Sequence, residues 1–223
     1  MKKVILVGAG PIIDDSFLRR CKDCFFVACD GGYVHFLNQG MTPDLFVGDF
    51  DTLDPKLLSF AKEVIRLNTI KDDTDTIYAI KKCFEKGFDT FYLYGCLGGK
   101  IEHTISNIQT LSFLLDRGAK GYLIDEKGKE ALTMIDDDIS FSPLSEGMIS
   151  VFSHTDCSKG VNIENLMYTL ENATLTSSFP LGVSNQFIKG KKARISVNEG
   201  KLVIITDMKN FDGLPDLQNK EEI

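Results

Sequence analysis

Six short apolar runs divide the first 124 residues: Val4 to Val7, Phe25 to Cys29, Leu45 to Val47, Val64 to Leu67, Phe91 to Tyr94 and Tyr122 to Ile124. Most are continuous rather than alternating, as in a parallel sheet covered on both faces. Helical patterns fall between them. Thr74 to Lys86 sets Ile77, Ile80 and Phe84 on one face and is followed by Gly87, a natural C′ residue. Ile101 to Arg117 does the same with Ile105, Ile108, Leu111 and Leu115, and Gly118 follows. Alternating strands and helices predict a βαβ series, and ligands of an open α/β sheet bind outside the carboxyl ends of its strands.

From Lys129 the pattern changes. Ala131 to Ile135, Met148 to Phe152, Leu166 to Leu170, Ala193 to Val197 and Leu202 to Thr206 read as strands, separated by turn signals such as Glu146-Gly147 and Asn198-Glu199-Gly200. No helical periodicity intervenes. The expected fold is a Rossmann-like parallel-sheet α/β domain over residues 1–128, followed by an all-β sandwich domain over residues 129–223. The polar stretch from Phe211 to Ile223 is expected to fray.

A net charge of -7 argues against a nucleic-acid surface. The apolar start is too short for a signal sequence and no run reaches a membrane span, so a cytoplasmic protein is expected. The six cysteines show no disulfide framework. Cys21-Lys22-Asp23-Cys24 could serve as half of a zinc site or as a redox pair. No second CxxC or clustered His completes it, and the reading is structural thiols.

The chemistry concentrates at strand exits. Leu45 to Val47 runs into Gly48-Asp49-Phe50-Asp51, whose carboxylates at i and i+2 share one side of an extended chain and suit chelation. Asp30 closes another apolar run, and Lys71-Asp72-Asp73-Thr74-Asp75 opens a helix. Singly, these aspartates could shape turns or complement a helix dipole. Together they would repel one another unless a hard cation sat among them, and oxygen donors of this kind suit Mg²⁺. Gly95-Cys96-Leu97-Gly98-Gly99-Lys100 links a strand to a helix and can offer backbone N–H groups, a positive dipole end and the Lys100 charge to phosphate. The same glycines could instead serve tight packing. His103 beside Glu102 is either a proton shuttle or a histidine satisfied by a helix end. Val7-Gly8-Ala9-Gly10-Pro11 lacks the third glycine of a dinucleotide fingerprint, since Ile13 stands there, and no P-loop sequence occurs.

Taken in order, Asp30-Gly31-Gly32, PDLFVGDFDT at Pro43 to Thr52, KDDTDT at Lys71 to Thr76, GCLGGKIEHTISNI at Gly95 to Ile108, Leu166 to Leu170 and Gly182-Val183-Ser184-Asn185 closely resemble the thiamine pyrophosphokinase family. The resemblance runs over nearly the whole chain. It implies transfer of pyrophosphate from ATP to thiamine, giving thiamine diphosphate and AMP. It also implies a homodimer in which the α/β domain of one subunit meets the β domain of the other around the site. Asp49, Asp51 and Asp75 would then hold Mg²⁺, with Asp30 and Asp72 contacting substrate or orienting the metal's ligands. Lys71, Gly98, Gly99, Lys100, Glu102 and His103 would bind ATP. Tyr168 would stack on a thiamine ring while Ser184 and Asn185 bond its polar edge. Without the resemblance Tyr168 reads as a core strand aromatic.

Where the family often has GGRxDH, this chain has Gly98-Gly99-Lys100-Ile101-Glu102-His103. Lys keeps the charge but not the guanidinium fork, and Glu lengthens the carboxylate. The nearest rival function is a pyrophosphokinase acting on another hydroxyalkyl heterocycle such as a pterin, which gains less than cationic thiamine from an acidic pocket. A nucleotide or thiamine sensor would have lost the metal ligands. A phosphohydrolase would keep them and use water as nucleophile.

Overall fold

The computed structural model describes residues 2–14, 16–21, 23–49, 61–68 and 72–211. The chain divides into two compact units, Met1–Gly128 and Lys129–Ile223.

Unit 1 carries β1 (Lys3–Val7), α1 (Ser16–Arg20), β2 (Phe25–Cys29), α2 (Tyr33–Asn38), β3 (Leu45–Gly48), β4 (Glu63–Arg66), α3 (Asp75–Glu85), β5 (Thr90–Tyr94), α4 (Ile101–Leu115) and β6 (Lys120–Ile124). Its strands lie in the order β4-β3-β2-β1-β5-β6, every neighbouring pair parallel. The continuous apolar runs are continuous because both faces are covered: Val4 to Val7 and all of β3 and β5 are buried. The run at Val64 is an exception. The strand there begins at Glu63 and ends at Arg66, and it sits largely exposed at the sheet edge. Leu67 lies past the strand, although its N–H still donates to the Gly48 carbonyl at 2.8 Å.

The helix over Asp75–Glu85 starts from Thr74, whose hydroxyl accepts the Ile77 N–H at 3.2 Å, and is followed by Gly87 at φ +79°. For α4 the expected period is right but its phase is not. The buried residues are Asn107, Thr110, Leu111 and Leu114, while Ile105 is exposed. Two polar residues take core-facing positions because local carbonyls satisfy them. Asn107 Nδ2 donates to the Cys96 carbonyl at 2.7 Å and Thr110 Oγ1 to that of Ser106 at 3.0 Å.

Unit 2 contains β7 (Glu130–Ile135), β8 (Asp138–Ser140), β9 (Met148–Ser153), β10 (Cys157–Glu164), β11 (Leu170–Thr176), β12 (Gly182–Gln186), β13 (Arg194–Ser196) and β14 (Leu202–Asp207). They form two antiparallel sheets, β12-β9-β14-β7 and β11-β10-β13-β8. The predicted strand from Leu166 to Leu170 does not form. Asn165 adopts φ +59°, Leu166 makes one isolated bridge to Phe187, and strand structure resumes at Leu170. Phe211, expected to fray, is buried with its ring against Phe141, while residues 212–223 lie outside the described residues. All six cysteines are free thiols. Among the described residues no helix is long and apolar enough to cross a membrane.

Candidate active site

Strand order in unit 1 reverses at β1, which has β2 on one side and β5 on the other. Chains leaving these strands diverge there and open a crevice at the carboxyl edge. A cavity of about 500 Å³ occupies it, lined by the loops after β1, β2 and β5 and by the starts of α3 and α4. The floor is built by close backbone approach. Gly8 N–H donates to the Tyr94 carbonyl at 2.9 Å and Gly10 N–H to that of Gly95 at 2.8 Å. A Cβ on Gly10 would stand 2.6 Å from the Gly95 oxygen, so only glycine fits. His35 on α2 adds a ring nitrogen 3.1 Å from the Gly10 carbonyl.

One wall is acidic. Asp30, held at φ +45° in a 3-10 turn after β2, and Asp75, in the first turn of α3, both line the cavity. The thiol of Cys29 lies beside them, 3.9 Å from the Asp75 carbonyl. Burial pushes its pKa well up, and the neighbouring Cys96, Asp30 and Asp75 push it further. The buried Cys96 thiol is pushed up to about 12, chiefly by desolvation. Both are therefore neutral thiols at physiological pH.

Across the cavity, Gly98 and Gly99 take φ +72° and +67°, and α4 begins at Lys100 with no side-chain cap. Its first N–H groups are left for a ligand or water, and the helix dipole and Lys100 favour an anion there. Gly98, Gly99, Lys100 and His103 line the cavity.

The remaining expected residues fall elsewhere. Asp49 follows β3 at the same carboxyl edge but does not line the cavity. Asp72 lines a separate depression with Arg66, Asp73 and Lys81, in which Lys81 Nζ pairs with Asp73 at 2.7 Å. Glu102 is exposed in the first turn of α4 and stands apart from the cavity lining. Asp51 and Lys71 lie outside the described residues. Among the described residues no group of three or more His, Cys, Asp or Glu side chains is placed to hold a metal.

In unit 2, Tyr168 is 70% exposed, which removes the reading of it as a core strand aromatic. Its place is set by Asn185, which is buried. Asn185 Nδ2 donates to the Tyr168 carbonyl at 2.6 Å, and its Oδ1 accepts from the N–H groups of Tyr168 at 3.0 Å and Gln186 at 2.9 Å. Thus the amide oxygen and one of the two Nδ2 hydrogens hold the backbone that presents the tyrosine. Ser184 is exposed at φ +58°, within a register shift of β12, and its N–H donates to Ser150 Oγ at 3.1 Å.

Two family models match the chain: "Thiamin pyrophosphokinase, catalytic domain" over residues 19–123 and "Thiamin pyrophosphokinase, vitamin B1 binding domain" over residues 138–202. The chain belongs to the thiamin pyrophosphokinase family. It is accordingly an enzyme, a thiamine diphosphokinase by family. Among similar proteins, thiamine pyrophosphokinase of Bacillus subtilis (strain 168) is 26% identical over 221 residues, covering 92% of this chain and 98% of its own. A crystal structure of the Bacillus subtilis enzyme matches with a TM-score of 0.78 at 25% identity, covering 92% of this chain and 99% of that one. Thiamin pyrophosphokinase from Candida albicans matches with a TM-score of 0.76 over 92% of this chain and 88% of its own; at 16% identity it bears on the fold alone.

Sequence reasoning missed several residues of the thiamin pyrophosphokinase cavity: Gly8 to Gly10, Cys29, Cys96, Ser106 and Asn107. A signal for the first group is present, since Gly-Ala-Gly directly follows an apolar run. It fails as a dinucleotide fingerprint, yet tight apposition of two loops needs glycines without that motif.

Proposed function

We propose that the chain transfers the pyrophosphoryl group of ATP to the hydroxyethyl oxygen of thiamine, giving thiamine diphosphate and AMP, with Mg²⁺ as cofactor. The observation that carries this reading is the polarity of one cavity at the strand-order reversal. Asp30 and Asp75 stand on its acidic side, and the uncapped start of α4 with Gly98, Gly99 and Lys100 stands on the other. A triphosphate carried with a cation needs both sides.

In the reaction the thiamine oxygen forms a bond to the β-phosphorus, the bond from that phosphorus to the α,β-bridging oxygen breaks, and the hydroxyl proton leaves to a nearby acceptor. Lys100 and the α4 N–H groups would bear the charge of the phosphate oxygens and hold the chain of phosphates in line. His103 lines the cavity and would exchange the proton. Asp49, Asp51 and Asp75 would hold the metal. The all-oxygen donor set and the presence of Asp30 and Asp75 on one cavity lining fit a hard cation. Held there, Mg²⁺ would supply charge neutralisation to the phosphate chain and Lewis-acid polarisation. Asp72 and Glu102 would serve the same nucleotide from outside the cavity lining, and Lys71 would grip its phosphate oxygens.

In unit 2 Tyr168 would stack on a thiamine ring and Ser184 would bond its polar edge. Asn185 would bond that edge as well, while its amide fixes the Tyr168 backbone. The unit 1 sheet is read as Rossmann-like, and the two sheets of unit 2 as a sandwich that binds thiamine and mediates dimerisation. Exposed Met148, Phe179, Leu181 and Val183, in and just before the edge strand β12 and on its neighbour β9, support a homodimer. The acidic composition supports small-molecule substrates rather than nucleic acid, and the reading includes a cytoplasmic location.

The test is product analysis with ATP, Mg²⁺ and thiamine, beside controls lacking thiamine or containing EDTA. Equal amounts of thiamine diphosphate and AMP, dependent on both, are expected. Intact ATP, or breakdown without thiamine, would overturn the reading. Asp49→Asn and Asp51→Asn should each abolish turnover while leaving the circular dichroism spectrum unchanged.

A further inference from the structure

Asn107 sits two turns into α4, about 10 Å along the helix from Lys100. It is only 8% exposed, yet it lines the cavity. Asparagine is a poor choice for a helix interior, and its amide must be satisfied there. Half of it is. Nδ2 donates to the Cys96 carbonyl at 2.7 Å, and this bond fixes the amide's orientation, because the reverse would press two acceptor oxygens together. Oδ1 makes no hydrogen bond to any described residue. An acceptor of known orientation, on a largely buried residue, is therefore presented to the cavity.

The surroundings decide what can meet it. Ala9 and the side chains of Cys29 and Cys96 line the same cavity. Ser106, the preceding residue, brings a neutral hydroxyl. Phosphate oxygens, which only accept, are repelled by an amide oxygen and belong at Lys100 and the glycines. The partner of Oδ1 donates a hydrogen bond or is a cation, and the carboxylates of Asp30 and Asp75 on the same lining are the stronger ligands for a cation. In a nucleoside triphosphate the donors lie at the other end, as ribose hydroxyls or as the exocyclic amine of the base.

We propose that Asn107 is a specificity residue of the nucleotide site: its Oδ1 accepts a hydrogen bond from a nucleoside donor and selects against nucleotides that lack that donor. This rests on the proposed use of ATP and names which end of the nucleotide lies against α4. A bound analogue that covers this oxygen without pairing it is used about ten- to a hundredfold less well.

The experiment compares kcat/KM for ATP, 2′-deoxy-ATP, 3′-deoxy-ATP and purine riboside triphosphate, in the wild-type protein and in Asn107→Ala, with thiamine and Mg²⁺ saturating. The wild type is expected to lose about ten- to a hundredfold with one class of analogue, and Asn107→Ala to treat that analogue and ATP within about twofold of each other. Loss with a deoxy analogue identifies a ribose hydroxyl as the donor, and loss with purine riboside triphosphate identifies the base amine. If Asn107 merely ties α4 to the Cys96 loop, its removal lowers every kcat/KM by the same factor and keeps the discrimination, which overturns the proposal. A wild type that uses all four nucleotides alike also overturns it, whether or not the variant folds. Should the wild type fail to turn over ATP with thiamine, the functional reading falls instead. Calorimetric binding of the same four nucleotides then decides the role of Asn107 by the same ratios.

Discussion

Two helices begin at the cavity of unit 1 and finish their first turns in opposite ways. At α3 the Thr74 hydroxyl accepts the Ile77 N–H and an acid, Asp75, follows at once. At α4 no side chain caps the helix, and the residue in the cap position is a lysine. A capped helix end with a carboxylate is complete in itself and holds that carboxylate rigidly, whereas an uncapped end beside a cation leaves its N–H groups to be completed by something else. Local stability has been taken at one end and forgone at the other, and the forgone end is where an anion gains most.

The largest effect should come from the acidic end. Asp75→Asn is expected to lower kcat by about a thousandfold at saturating Mg²⁺ with ATP binding retained. A variant with near-normal kcat would remove the cation side of the comparison. Lys100→Asp should separate stability from function. It supplies the missing cap and a charge that suits the dipole, so thermal unfolding should show a gain of about 0.5–1 kcal/mol while kcat/KM for ATP falls about a hundredfold. Unchanged ATP kinetics would mean that the open end is not a phosphate site. Tyr168→Ala lies outside the comparison and sharpens it. The KM for thiamine should rise about tenfold with that for ATP unchanged, so a shift in ATP kinetics would show that the helix ends do not act on the nucleotide alone. The smallest effect belongs to Thr74→Ala, which opens the end of α3 at a cost of about 1 kcal/mol, a fall of about 2–4 °C in Tm. A silent substitution would mean that the two ends never differed in stability.

Local patterns carry much of the fold and part of the site. Continuous apolar runs locate the strands of unit 1, Gly87 and Gly118 mark helix ends at φ +79° and +70°, and Asp30, Asp75, Gly98, Gly99, Lys100 and His103 are legible as site candidates that do line the cavity. These succeed because strand burial, helix caps and positive-φ turns depend on a few neighbouring residues. The phase of α4 is not legible in the same way, because an apolar count cannot see that Asn107 and Thr110 are satisfied by carbonyls of Cys96 and Ser106. Tyr168 reads as a strand residue because its apolar neighbours hide the φ +59° break at Asn165.

The sequence by itself determined which residues end strands and begin helices, and hence which groups could reach a carboxyl edge. Only the tertiary structure decided that the loops after β1 and β5 interlock through Gly8, Gly10 and Gly95, that Asn185 holds Tyr168, and that Asn107 turns an acceptor into the cavity. Each of these is a contact between residues distant in the chain or a choice between two faces of one helix. Both follow from how complete elements pack, which no local preference encodes.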